Sequence, residues 1–310
     1  MVVPVSDAAA VRTAGREHAD RGLAPCRPLL KWPGGKRSEL PLIAPRIPEH
    51  SRYFEPFFGG GSVYFDAIDS ESYANDLHPD LMEFYRCVKH GDERFFQHLY
   101  SIVDDWERAS LVGRDAIYYD CRDRYNASPP TTAQRAADFF LLRELAYGGM
   151  FRVNANGHFN VPFGQAYAKN KNLREKVDLL RSDAVVAKME RLNLSALDFA
   201  DFLDGFEFRP EDFMFVDPPY DSSFSKYDTL DFSEQDQRRL AKALMQFTGR
   251  FMLVCKATPL IEDLYHGAEH LRVHHYEHQY KFNIKGRFSR SSTHAMITNY
   301  EAAIVAGEAS

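Results

Sequence analysis

Asp217-Pro218-Pro219-Tyr220 sets a carboxylate and an aromatic ring on either side of two residues that have no backbone N–H. Phe215 and Val216 before it read as the end of a buried strand. Open α/β sheets bind their ligands at the C-terminal ends of such strands. An acid and a carbonyl held by two prolines form a rigid pair of acceptors, and both can take hydrogen bonds from one exocyclic amino group. A tyrosine beside them can stack on a planar base. The four residues therefore suit a flipped nucleobase that carries an NH₂ group. The plain alternative, a turn that ends a strand, explains the prolines and leaves the acid and the ring unexplained.

A second constellation lies upstream. Phe57-Phe58-Gly59-Gly60-Gly61 follows an apolar run and precedes an amphipathic one. Glycines there permit a sharp turn and a close approach of backbone to ligand. Asp76 ends the next short run, near the spacing at which an acid grips ribose hydroxyls. The loop is not the dinucleotide GxGxxG pattern and carries no P-loop lysine. A nucleoside without a long phosphate chain fits it better. A third motif is Leu30-Lys31-Trp32-Pro33-Gly34-Gly35-Lys36, by itself readable as a turn with surface lysines.

The elements that must position these residues follow from hydrophobic periodicity. Residues 52–57 predict a strand, residues 62–68 a helix, and residues 72–76 a second strand. Residues 80–150 change to helical spacing in DLMEFYRCVKHG, ERFFQHLYSIVDDWERA and TTAQRAADFFLLRELAY. A loop-rich stretch rich in glycine, asparagine and aromatics follows. Strand–helix alternation returns from about residue 185, with DFMFV and RFMLVCKA as buried strands. Ser233 and Asp236 predict a capping box at the start of a helix. Two late strands, residues 271–282 and 294–300, can pair as a hairpin. The whole reads as an α/β domain split by a mainly helical insertion.

Composition bounds the partners. The 310 residues include 45% hydrophobic and 26% charged residues, with a formal net charge of −6, so any nucleic acid must be held by a local basic surface. Residues 272–290 supply one, with five Lys or Arg, Lys285 and Arg287 among them, and one acid, Glu277. The plain alternative is a solvated hairpin. The four cysteines, Cys26, Cys87, Cys121 and Cys255, show no metal-type spacing, and a reducing cytoplasm is expected. His274, His275 and His278 invite a metal reading. On a strand, however, His275 points away from the other two, and no cysteine or acid cluster completes a site. No metal is expected. The chain offers no membrane-length apolar run and no signal peptide. Residues 1–27 are expected to be a loosely ordered leader.

Together the motifs resemble the Dam-type, α-group adenine-N6 DNA methyltransferases (the D12 class). The family order is KWxGGK, FxGxG, an acidic strand end, a helical insertion and DPPY. Here these are residues 31–36, 57–61, Asp76, the insertion and residues 217–220. GGMFRVNANGHFNVPFG, residues 148–164, is similar to the family's NGxxRxNxxGxFNVPxG. Gly148 stands where the family often has asparagine. The resemblance implies a Rossmann-like, S-adenosylmethionine-dependent methyltransferase sheet. Residues 28–83 and 173–310 would form the catalytic domain, and residues 84–172 an inserted, mainly helical target-recognition domain. By position, Trp32, Lys36, Asp76, Asp217, Glu55, Gly59, Gly61 and the pair Asp198-Phe199 would hold S-adenosylmethionine. Asp217, Pro218, Pro219 and Tyr220 would act on the base. Lys31, Tyr147, Arg152, Asn154 and Pro162 would meet DNA. The plain alternative for Arg152 and Asn154 is a loop-capping role; in the family context base or phosphate contact is favoured, because Arg suits guanine and Asn suits adenine in the major groove. The resemblance implies a monomer on double-stranded DNA, a target of GATC or a related site, and a cognate restriction endonuclease as a potential companion. Cytosine N4 or adenine in RNA as the target, and a catalytically silent DNA-binding protein, stay open as alternatives. A protein-glutamine methyltransferase, with its usual Asn before Pro-Pro-Tyr, fits less well.

Overall fold

The structure, a computed structural model, describes residues 25–168, 170–220, 232–279 and 291–302. The apolar runs form a seven-stranded sheet among these residues, in the order β3-β2-β1-β4-β5-β7-β6. The strands are β1 Arg52–Glu55, β2 Glu71–Asn75, β3 Leu192–Ser195, β4 Asp212–Val216, β5 Arg250–Lys256, β6 Arg272–Gln279 and β7 Ser291–Thr298. β1 pairs in parallel with β2 and β4, β2 with β3, and β4 with β5. β7 runs antiparallel to both β5 and β6.

Both faces of the central strands are covered, so they read as continuous apolar runs rather than alternating ones. Phe213 and Phe215 of β4 and Met252 and Val254 of β5 enter one core. Met214 and Val216, with Phe251 and Leu253, enter the other. From β1 the chain winds outward to β2 and β3 on one side and later to β4 and β5 on the other. The β1/β4 boundary is therefore a topological switch point, where the carboxyl ends of strands open a crevice.

Twelve α-helices are described: α1 Leu40–Ile43, α2 Ser62–Ala67, α3 Pro79–Lys89, α4 Glu93–Arg108, α5 Leu111–Ala127, α6 Ala133–Leu145, α7 Gln165–Ala168, α8 Leu173–Leu180, α9 Asp183–Glu190, α10 Phe199–Asp204, α11 Glu234–Gln246 and α12 Pro259–Tyr265. Helices α3 to α9 lie between β2 and β3. Among them α6 is buried from Ala136 to Leu145, because α3, α4 and α5 all pack on it. Its two buried acids are paired: Asp138 with Arg124 at 2.8 Å, and Glu144 with Lys171 at 2.8 Å. The capping box at Ser233 and Asp236 is present at the start of α11. Helix α5 escapes the periodicity reading because only Tyr118, Cys121 and Tyr125 bury along its 17 residues. Strand β3 and helices α8 and α9 are too short for a periodic signal. Among the described residues no helix is long and apolar enough to cross a membrane. Lys285 and Arg287, with most of the expected basic hairpin loop, lie outside the described residues, as does the expected leader up to residue 24.

Candidate active site

The glycine loop leaves β1 through Pro56. Gly59 (φ 49°) and Gly61 (φ 61°) are left-handed, a region that other L residues enter only at a cost. A Cβ on Gly59 would stand 2.7 Å from Trp32 Cδ1, so glycine is what lets the indole lie on the loop. The loop is pinned from several sides. Gly59 N–H donates to Asp76 Oδ2 at 2.8 Å, and His78 N–H donates to Asp76 Oδ1 at 2.9 Å. The Tyr85 hydroxyl of α3 donates to the Gly59 carbonyl at 3.1 Å. Asn75 ties three strand ends together. Its Nδ2 donates to the Pro56 and Leu197 carbonyls at 3.2 and 3.0 Å, and its Oδ1 accepts from Leu197 N–H at 2.9 Å.

At the neighbouring strand end, Asp217 and Tyr220 meet a cation from the amino-terminal motif. Lys36 Nζ, buried with its residue only 2% exposed, donates to Asp217 Oδ2 at 2.5 Å, the Tyr220 hydroxyl at 2.9 Å and the Gly34 carbonyl at 3.1 Å. Gln237 of α11 donates to the Pro219 carbonyl at 3.1 Å and holds the turn from below. Burial pushes the Asp217 carboxyl up to about 6, against the opposing pull of the Lys36 ammonium. Burial also raises Glu55 well above the usual carboxylate range, although its Oε2 accepts from Tyr53 at 2.7 Å.

These residues line one cavity of about 620 Å³. Trp32, Lys36, Glu55, Gly59, Gly61, Asp76, Asp198, Phe199, Asp217, Pro218, Pro219 and Tyr220 all face it, although they come from segments up to 188 positions apart (Trp32 to Tyr220). Five carboxyl side chains line the cavity, those of Glu55, Asp76, Asp198, Asp217 and Asp236, and suit a ligand with cationic or donor groups. Phe57 and Phe232 flank Phe199 at 5.4 and 5.7 Å between ring centres and offer flat apolar surface nearby. Asp198 also caps α10 through the Ala200 N–H and pairs with Arg239 at 2.7 Å. The donor set and the glycine cradle fit an adenosine bearing a cationic substituent.

The expected DNA-facing residues gather around the loop after α6. Tyr147 is 49% exposed, and its N–H donates to the Pro162 carbonyl at 2.8 Å. Lys31 is exposed, and a Cβ on Gly149 would lie 3.8 Å from its Cδ. Arg152 donates to Asn160 Oδ1 at 2.8 Å. Asn154 Oδ1 accepts from the N–H groups of Asn156 and His158, so its oxygen serves the loop itself. The sequence reading missed Arg143. This wholly buried guanidinium donates to the carbonyls of Lys31 at 2.9 Å and Gly149 at 2.9 Å, and it lies 5.3 Å from the Trp32 ring. One side chain thus fastens the Lys31–Lys36 motif to the loop that carries Tyr147.

A polar cluster backs Tyr220. Glu277 within the histidine segment turns to Ser291 and Thr293, and the fold brings Glu39 to His278 instead. Tyr276 donates to Glu39 Oε2 at 2.5 Å, His294 Nδ1 lies 3.0 Å from the same oxygen, and His278 Nδ1 lies 3.7 Å from Oε1. The His278 and His294 rings stack at 4.6 Å with 20° between planes. Glu39, His278 and His294 thus bring one carboxylate oxygen and two ring nitrogens within 4.8 Å of one another, joined by the hydrogen bonds of Tyr276 and His294 to Glu39. His275 faces the other way, toward Glu262 at 2.6 Å, as strand alternation requires.

Comparison with known proteins agrees with this geometry. A family model described as D12 class N6 adenine-specific DNA methyltransferase matches residues 32–282. The chain is 32% identical over 233 residues to the type II methyltransferase M.MjaIII of Methanocaldococcus jannaschii, covering 70% of this chain and 78% of that protein. It is 29% identical to the type II methyltransferase M.CviBI of Paramecium bursaria Chlorella virus NC1A, over 88% of this chain and all of the relative. It is 28% identical to a DNA adenine methylase of Haemophilus influenzae, over 80% of this chain and 85% of that protein.

Proposed function

The chain belongs to the D12 class of N6 adenine-specific DNA methyltransferases, and from that premise we propose how its residues divide the work. S-adenosylmethionine is the methyl donor and is held in the cavity at the β1/β4 switch point. When bound, it supplies a methyl group on a sulfonium, an electrophile that needs no acid to activate it. Trp32, Gly59, Gly61 and Asp76 shape and grip the nucleoside end, with Glu55, Asp198 and Phe199 around it. Lys36 offers its ammonium to the carboxylate end of the donor.

The target adenine is flipped against Tyr220, at a cost of a few kcal/mol that stacking repays. Asp217 and the Pro218 carbonyl accept the two N6 hydrogens. An amine whose lone pair is delocalised into the ring is a weak nucleophile. Two fixed acceptors favour a pyramidal nitrogen with its lone pair free of the ring. The catalytic contribution is positioning and electrostatics. Lys36 donates to one carboxylate oxygen, Asp217 Oδ2, and to the Tyr220 hydroxyl, and so orients both groups. The observation that carries this reading is the meeting of Lys36, Asp217 and Tyr220 at the mouth of one acid-lined cavity.

Residues 84–172 serve target recognition, and residues 28–83 with 173–310 serve catalysis. Lys31, Tyr147, Arg152, Asn154 and Pro162 meet the duplex, with Lys285 and Arg287 on its backbone. Arg suits guanine in the major groove, which supports GATC or a related site. The enzyme acts as a monomer in the cytoplasm, alone or beside a restriction endonuclease of the same specificity. Sequencing of N6-methyladenine in a plasmid propagated with the enzyme tests the target. Methylated sites that share a guanine next to the adenine support it, and sites without one refute the Arg152 assignment.

A further inference from the structure

We propose that Glu39 and His294 are positioning residues for methyl transfer: from behind Tyr220 they seat its ring and set the electrostatic field at Asp217. The proposal rests on reading Asp217 as the acceptor for the adenine amine. His294, 1% exposed on β7, packs against Tyr220 in a T-shaped pair with 5.4 Å between ring centres. The Lys36 ammonium also lies against the tyrosine, 5.1 Å from the ring centre. The ring that stacks on the base is thus held by a lysine and a histidine from opposite ends of the chain.

Glu39 fixes this histidine. It accepts from Tyr276 of β6, lies at hydrogen-bond distance from His294 Nδ1, and is itself 6% exposed. These donors, with the Lys36 ammonium, hold its carboxyl below the usual range despite burial. Glu39 is therefore an anion at neutral pH, close to Asp217. Other ionisable groups around Asp217 are Lys36 in the amino-terminal motif, Glu55 on β1, Cys255 on β5, Tyr276 on β6 and His294 on β7, with His278 of β6 beyond them against Glu39 and His294. Burial pushes Cys255 up to about 12 and His278 down, so both are neutral near pH 7. Tyr276 is raised as well and remains neutral. Of the cluster behind Tyr220, Glu39 and His294 act on Asp217 with opposite signs: Glu39 raises its proton affinity and His294 lowers it.

A merely structural pair would alter stability and leave the pH profile where it was. The test is the pH dependence of kcat/KM for labelled methyl transfer to duplex adenine, whose acid limb reports the free enzyme. In the unmodified chain the limb is expected near pH 6. Glu39→Gln, which keeps an acceptor oxygen without the charge, is expected to move it down by about half a pH unit. His294→Gln is expected to move it up. Glu39→Asp keeps the charge and is expected to restore the original position. The Glu39→Gln and His294→Gln shifts are expected to have opposite signs, with Glu39→Asp as the unshifted control. A limb that stays fixed in every folded variant, or that moves the same way in the Glu39→Gln and His294→Gln variants, overturns the proposal. A limb near pH 6 that persists in Asp217→Ala would instead overturn the assignment of Asp217.

Discussion

Replacing Gly59 by alanine separates a backbone effect from a packing effect at the donor cradle. At φ 49°, a side chain enters the left-handed region at about 1–2 kcal/mol. The new Cβ would also stand 2.7 Å from Trp32 Cδ1 and 3.1 Å from its Nε1. The indole has little room to yield, because His78 lies 5.3 Å and Phe139 6.3 Å from it, with the Arg143 guanidinium 5.3 Å away. Overpacking of this kind adds about 1–3 kcal/mol. Gly91→Ala is the control: its φ is 58°, it is exposed between α3 and α4, and a Cβ there meets nothing within 4 Å. Denaturant unfolding gives the stabilities, and calorimetric titration with S-adenosylhomocysteine gives the nucleoside affinity. Gly91→Ala is expected to cost about 1–2 kcal/mol with unchanged affinity. Gly59→Ala is expected to cost about 1–3 kcal/mol more and to weaken binding about tenfold, the equivalent of about 1.4 kcal/mol. Equal costs with equal affinities would refute the contact between loop and indole as the reason for glycine.

Lys36→Met removes the cation that draws Asp217 downward, so the acid limb of kcat/KM is expected to rise above pH 6, and a limb that stays or falls contradicts the ion pair. Arg143→Met leaves the carbonyls of Lys31 and Gly149 without their donor, at about 1–3 kcal/mol for each buried group. Because one guanidinium holds both loops, donor affinity and duplex affinity are expected to fall together, and loss of only one argues against the clamp. Glu55 keeps its proton in the folded chain well above the pH, about 4.3, at which the unfolded chain releases it. Stability therefore falls as pH rises above that value. Glu55→Gln is expected to raise the Tm at pH 8 relative to pH 5, and an unchanged Tm–pH slope would oppose burial as the cause.

What could be read from the sequence was what is local. Asp217 to Tyr220, the glycines after β1 and Asp76 each carry their chemistry within a few residues, and the strands that present them announce themselves as apolar runs. The partners of those residues were not legible, because they arrive through the fold. Lys36 reaches Asp217 across 181 positions, and Glu39 reaches His294 across 255. Alternation correctly turned His275 away from His278, but no pattern near the triplet pointed to Glu39. Asn75 illustrates the same limit: next to Asp76 it looks like an ordinary strand end, yet its amide joins the ends of β1, β2 and β3. Helix α5 was hidden for a different reason, a stripe of three buried side chains on an otherwise polar surface.

The most direct measurement of the account is transfer of labelled methyl from S-adenosylmethionine to duplex DNA by the unmodified chain and by Asp217→Ala, followed by nucleoside analysis. The account predicts label in N6-methyladenine with the unmodified chain. It predicts loss of that label in a variant that still folds and still binds S-adenosylhomocysteine. Label in N4-methylcytosine, or near-normal turnover without the Asp217 carboxylate, would contradict it.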